Sequence, residues 1–252
     1  MSKILQLAGN TFRETIRDRV LNVALLFALA MIAAGILLGT LSIGEDQKIV
    51  KDLGLAAIEF FSVAIAIFIG TSLLFKEMDK RTIFIVLAKP VRRYEFMLGK
   101  FLGLAATLTC LLAAMTAAFG LMLVALHAFA FALFWQIALE WLQILLMIAL
   151  ALMFSTFASP VMAMAYSFAL YLIGHNLEGL RVLARQAAPT ARRLILLLYD
   201  VLPNLGHLDI KNQVVYGMPF SLSQWCVAAS YGLVYTAFAL VVGVLIFARR
   251  EF

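Results

Sequence analysis

Two carboxylic acids stand where a carboxylate is expensive. Glu59 and Glu140 each fall inside a long apolar run, and a charged side chain at the bilayer centre costs on the order of 2.5–3.5 kcal/mol on insertion scales. Such groups face a wet or protein-enclosed interior. Both acids read as about six residues from the outer end of their run, roughly 9 Å at the helical rise, so reaching back to the headgroups stays open as an alternative. Gln136, Glu140 and Gln143 follow one another at four and three residues, which places them on one helical face. With Glu59 they form a candidate polar path through an apolar protein. His127, His175 and His207 are scattered between the runs. With Glu140 they could serve acid/base chemistry on a lipid inside the membrane, and the alternative is that they are ordinary interfacial histidines.

Other chemistry is absent from the sequence. There is no His-Glu-x-x-His and no Gly-x-Ser-x-Gly elbow. Gly99–Lys100 is followed by Phe101 and lacks the upstream glycine of a phosphate loop, so no Walker A site for ATP is present. Cys110 and Cys226 lie in or beside different apolar runs and form neither a metal spacing nor a disulfide framework. No cofactor or metal is expected within the chain.

The elements that must hold these residues are membrane spans. Of the 252 residues, 64% are hydrophobic and 13% charged, against about 25% charged in ordinary soluble domains. Mean hydropathy is +1.00. The runs exceed the roughly 18 residues that cross a bilayer as a helix and lack the alternation of barrel strands. The fold class is all-α and polytopic, a single transmembrane domain over 1–252. The net charge of +6 is explained by basic residues in cytoplasmic loops, so nucleic acid is not the expected partner.

In chain order, residues 2–20 read as an interfacial amphipathic helix. Ile4, Leu5, Ala8, Phe12, Ile16 and Val20 lie on one face and Lys3, Arg13, Arg17 and Asp18 on the other. This segment is too long and too charged for a signal core. Span one covers about 21–41 and contains the small-xxx-small step Gly35–Gly39. A short outer loop with Glu45, Asp46, Lys48, Lys51 and Asp52 leads to span two at about 53–75. Span three runs from Lys100 to near Val124, where only His127 interrupts the apolar character before Trp135. Trp135 and Trp141 suit an outer aromatic belt. Span four ends near Ser155, and the corner at 155–160 turns into span five, which ends near Gly174. Residues 175–224 form a long outer loop with short interfacial or re-entrant helices near 180–185 and 194–198. Arg181, Arg185, Arg192, Arg193 and Lys211 are out of place there by charge, although long loops translocate largely regardless of it. Span six, about Trp225–Phe247, stops at Arg249–Arg250. The apolar runs and the distribution of basic residues give about six spans with both termini in the cytoplasm, and the expected location is a bacterial inner membrane.

The segment 76–100, KEMDKRTIFIVLAKPVRRYEFMLGK, is the strongly charged stretch between two apolar runs. Met78, Ile83, Val86 and Leu87 recur at helical spacing, Glu77 and Arg81 stand four apart, and Pro90 forces a corner. A second helix begins at Arg92–Arg93. The pattern is a docking element at the cytoplasmic surface.

These residues resemble the permease subunits of type-2 ABC exporters. The likeness is carried by residues 11–19, LysGluMetAspLysArgThrIle at 76–83, LeuAlaLysProVal at 87–91, TyrGluPheMetLeuGlyLys at 94–100 and LeuProAsnLeu at 202–205. The resemblance implies two permease chains, alike or related, assembled in the lipid membrane with two ATPase subunits that carry ATP and Mg. It also implies that Glu77, Arg81, Thr82, Ile83, Leu87, Lys89, Pro90, Arg92, Arg93 and Glu95 contact or shape the ATPase interface. The substrate is not legible, and the apolar spans tilt toward hydrophobic or amphipathic cargo.

Overall fold

Apolar runs in a bilayer must satisfy their backbone hydrogen bonds internally, which leaves helices as the economical solution. The computed structural model describes residues 3–16, 26–27, 30–31, 34, 46–79, 92–186 and 188–249, and all its regular structure among them is helical. In order these are α1 (Lys3–Thr15), α2 (Asp46–Asp79), α3 (Arg93–Ala125), α4 (Leu133–Ser155), α5 (Pro160–His175), α6 (Leu177–Gln186), α7 (Pro189–Val201), a 3-10 turn (Leu205–Leu208), α8 (Lys211–Tyr216) and α9 (Leu222–Arg249). Among the described residues α2, α3, α4 and α9 are long and apolar enough to cross a membrane. The chain is a multi-span membrane protein. α5 has 16 residues, roughly 24 Å at the helical rise, short of the usual span.

α4 is the hub. From Leu139 to Leu152 every residue except Trp141 is buried, as expected of a helix apolar on all sides. α2, α3, α5 and α9 all pack on it. Where α2 crosses α4, Gly70 lets the backbones approach, since a Cβ there would lie 2.9 Å from the Ala151 methyl. From the segment expected as span one, Phe27 and Met31 are buried, and Phe27 meets the Phe61 ring edge-on at 5.9 Å. The Gly35–Gly39 step lies outside the described residues.

At one end of the bundle α1 lies against the start of α3. A Cβ on Gly99 would sit 2.6 Å from Leu7 Cβ, and one on Gly103 would sit 2.5 Å from Thr11 Cβ and 2.7 Å from the Ala8 carbonyl oxygen. The contact face therefore runs through Leu7, Ala8, Thr11 and Thr15, with both threonines buried. It is rotated from the apolar stripe expected for an interfacial helix, and Leu5 of that stripe is exposed.

Two local features depart from the sequence reading, and the turn that it left unplaced after Val124 is fixed. The charged residues from Asp46 to Asp52 are not a loop but the first turns of α2. The turn between α3 and α4 is at Leu126–Ala132, where His127 takes φ +52°, a backbone region in which histidine is enriched. Trp141, expected in the same belt as Trp135, stands within α4 rather than at its entrance. It lies eight positions after Leu133, and its indole N–H donates to Thr109 Oγ1 at 2.8 Å. The corner at 155–160 is as expected, with α4 ending at Ser155 and Pro160 in the first turn of α5, where its missing N–H costs nothing.

Candidate functional site

At the opposite end from α1, a chain of polar side chains crosses the packed helices. Glu59, on α2, is 3% exposed. Its Oε1 accepts from Gln143 Nε2 of α4 at 2.8 Å and from the Tyr171 hydroxyl of α5 at 3.1 Å. Its Oε2 accepts from the Lys211 ammonium of α8 at 2.5 Å. His175 Nε2, one helical turn beyond Tyr171, approaches Oε1 to 2.9 Å. Yet neither ring nitrogen of His175 makes an aligned hydrogen bond. Lys211 also lies 3.5 Å from Asp209 Oδ2. Burial works against its charge, but the Glu59 and Asp209 carboxylates outweigh burial and hold the Lys211 pKa above its ordinary value.

The predicted face of α4 is real. Gln136 accepts the Ile210 backbone N–H at 2.8 Å, one residue before Lys211, while Gln143 holds Glu59. Between them Glu140 is 1% exposed, and neither of its carboxyl oxygens has a hydrogen-bond partner among the described residues. Neither acid reaches for headgroups. Both are enclosed by protein, and the Asp209–Lys211 segment packs over the α4 face of the candidate polar path. A carboxyl without partners is costly to bury in its charged form.

Lys211, Tyr171 and Asp209 were not singled out from sequence as members of this site, whereas His175 was named there as a possible acid/base partner of Glu140. Tyr171 and His175 are four apart at the end of an apolar helix, a spacing that puts both on one face and was a readable signal. Lys211 is 152 residues from Glu59; its charge is out of place in an outer loop, but nothing local names its partner. The other histidines do not join. His127 sits in the α3–α4 turn, and His207 packs on Tyr231 with ring centroids 5.4 Å apart. Among the described residues no group of three or more His, Cys, Asp or Glu side chains could hold a metal ion. The LeuProAsnLeu stretch at 202–205 anchors the segment that carries Lys211. Asn204 N–H donates to the Tyr231 hydroxyl of α9 at 2.7 Å, and a Cβ on Gly174 of α5 would meet the Pro203 carbonyl at 2.8 Å.

Of the candidate docking residues, Arg81, Thr82, Ile83, Leu87, Lys89 and Pro90 lie outside the described residues. The backbone of Glu77 belongs to the last turns of α2. Arg92 and Glu95 open α3, where the Glu95 carboxylate accepts the Arg92 backbone N–H at 2.7 Å. Glu95 therefore fixes the start of that helix. Arg93 turns inward, and its guanidinium donates to the Phe247 and Ala248 carbonyls at 2.9 and 2.8 Å. It ties the start of α3 to the end of α9, where a cation is favoured by the helix dipole. Phe96 stacks on Phe247 at the same junction.

The sequence from residue 5 to residue 252 matches the family model for ABC-2 family transporter proteins. No curated protein matches the chain at a significant level.

Proposed function

The chain belongs to the ABC-2 family of transporter proteins, and from that premise we propose that it is the permease of an ATP-driven exporter. It forms one transmembrane domain of six spans with both termini in the cytoplasm of a bacterial inner membrane. Two copies, or one copy and a related chain, enclose the path. ATP and Mg are bound by separate ATPase subunits, and the segment 76–100 is the handle on which they pull. The observation that carries this reading is a family match over nearly the whole chain in a sequence that holds no phosphate loop, so the motor lies outside these residues.

The packing supports the mechanical part. The handle is continuous with α2 on one side and α3 on the other. α3 is keyed to α1 through Gly99 and Gly103 and to α9 through Arg93. A rigid-body push at 80–91 would reach four helices at once, which is how packed elements convert a small displacement into a change of access. Glu59, Gln136, Glu140 and Gln143 line the path at the far end, closed in this conformation by Lys211. Hydrophobic or amphipathic cargo fits the apolar helix faces.

The test is co-purification with the cognate ATPase. Reversing Arg81, Lys89 and Arg92 to glutamate should release the ATPase while the permease stays folded. Glu95 is left intact because it caps α3. Retention of the ATPase by that variant would overturn the coupling role.

A further inference from the structure

Of the five basic residues that are out of place between α5 and α9, Lys211 is accounted for by Glu59. The other four lie on the α6–α7 hairpin. These two helices pack chiefly on each other. The Tyr199 hydroxyl donates to Glu178 Oε1 at 3.1 Å, and the Arg181 guanidinium stands over the Tyr199 ring at 5.4 Å. The hairpin is held at the level where a helix leaves the bundle, since α6 begins two residues after α5 ends. At its other end the Tyr235 hydroxyl of α9 donates to the Val201 carbonyl at 3.0 Å.

The outer face of this hairpin is apolar. Leu194, Leu197, Leu198 and Val201 follow the i, i+3, i+4, i+7 rule of one helical face, and they are 66%, 60%, 48% and 62% exposed. Val182 and Leu183 are exposed on α6. Arg185, Arg192 and Arg193 are exposed as well, and none of them makes an ion pair with a described residue. An uncovered leucine stripe beside unpaired guanidiniums, next to the end of a membrane helix, has its complement in a lipid surface of opposite charge. Guanidinium matches the oxygens of a phosphodiester in pairs, which an ammonium cannot do.

We propose that the α6–α7 hairpin is a binding site for anionic phospholipid: its leucine stripe enters the boundary between headgroups and acyl chains, and Arg185, Arg192 and Arg193 hold the lipid phosphates. The site rests on the membrane location of the chain and not on what the transporter carries. It also gives these arginines a role independent of loop-charge rules.

The full chain is reconstituted in vesicles of phosphatidylcholine and phosphatidylglycerol. Association of spin-labelled phosphatidylglycerol is compared with that of spin-labelled phosphatidylcholine. The R185Q/R192Q/R193Q variant leaves the Arg181–Tyr199–Glu178 contacts in place, and an unchanged thermal midpoint shows that it folds. Its preference for the anionic lipid should fall at least roughly fivefold, the equivalent of one of the three arginine contributions of about 1 kcal/mol. Equal preference in the two proteins would overturn the proposal. Attraction of lipid to Lys3 and Arg13 is common to both and cancels. A nitroxide on Leu197→Cys, in a Cys110→Ser/Cys226→Ser background, gives the second readout. It should collide with oxygen and be shielded from a water-soluble nickel chelate. A label open to the chelate would refute membrane entry. A label shielded from both reagents would place protein, a second copy or a partner, over the stripe and would equally refute it.

Discussion

Lys211→Met tests whether the polar cluster is a working closure. The substitution keeps most of the side-chain volume and removes the ammonium that faces the Glu59 carboxylate among the described residues. The side chains of Glu59 and Lys211 are 4% and 16% exposed, so solvent screens the pair little. Removing one partner of a buried pair costs about 3–5 kcal/mol, because the other charge stays buried without its counter-ion. Gln143 and Tyr171 still donate to Glu59, which places the expected loss near the lower end, about 3 kcal/mol. For a chain of this size that corresponds to a fall in thermal midpoint of roughly 6–12 °C. Glu59→Gln should cost less, about 1–2 kcal/mol, because Lys211 keeps Asp209 nearby. The double variant should recover to within about 1 kcal/mol of the parent, since neither charge then remains. The assay is thermal unfolding of the purified protein in detergent at one pH, read as a double-mutant cycle. A loss below about 1 kcal/mol for Lys211→Met, or a double variant as unstable as the worse single one, would refute the reasoning.

Three further outcomes follow from the packing. Gly103→Val should lift α1 off α3, because its Cβ would press on Thr11 and the Ala8 carbonyl. The cost is about 1–3 kcal/mol, and protease should then cleave α1 in the folded protein. Arg93→Ala removes two charge-assisted bonds to the end of α9 and should cost about 1.5–3 kcal/mol, measured by thermal midpoint and by faster amide exchange at Phe247 and Ala248. The contribution of Lys211 to stability should be flat with pH through neutrality. Its folded pKa is raised, so the contribution is complete below the unfolded value of about 10.4 and is lost only as pH rises through the folded value. The difference between parent and Lys211→Met should therefore not change between about pH 6.5 and 8.5, and a marked drift in that window would contradict the assignment.

Much of the fold was legible because the signals are local. Run length, the proline at 160 and the charged stretch after α2 report on residues beside them. The α2 entrance was misread because Asp46–Asp52 is polar enough to resemble a loop, yet its charges sit at helical spacing on the first turns of a long helix. The α1 contact face was missed for the opposite reason. Thr11 and Thr15 read as polar, while both are small and buried, and Thr11 faces Gly103 as Leu7 faces Gly99. That pairing of small residues four apart on both helices was visible in the sequence, but attention to hydrophobicity alone passes over it. The polar cluster was half legible. An acid inside an apolar run reveals itself, and the shared face of Gln136, Glu140 and Gln143 follows from spacing. Its counter-ion does not, because Lys211 reaches Glu59 only after the chain has turned back through α5, α6 and α7. Likewise Arg93 stands in a docking stretch by sequence and is used, at least in part, to clamp α9.

The claim that the segment after α2 is gripped by an ATPase is tested most directly at Arg92, the residue just before α3. A single cysteine there, in the Cys110→Ser/Cys226→Ser background, is exposed to a membrane-impermeant maleimide in intact cells and then to a short bifunctional cross-linker in isolated membranes. The account predicts no labelling from outside and a cross-linked product containing the ATPase subunit. Labelling from the external medium, with no such product, would contradict it.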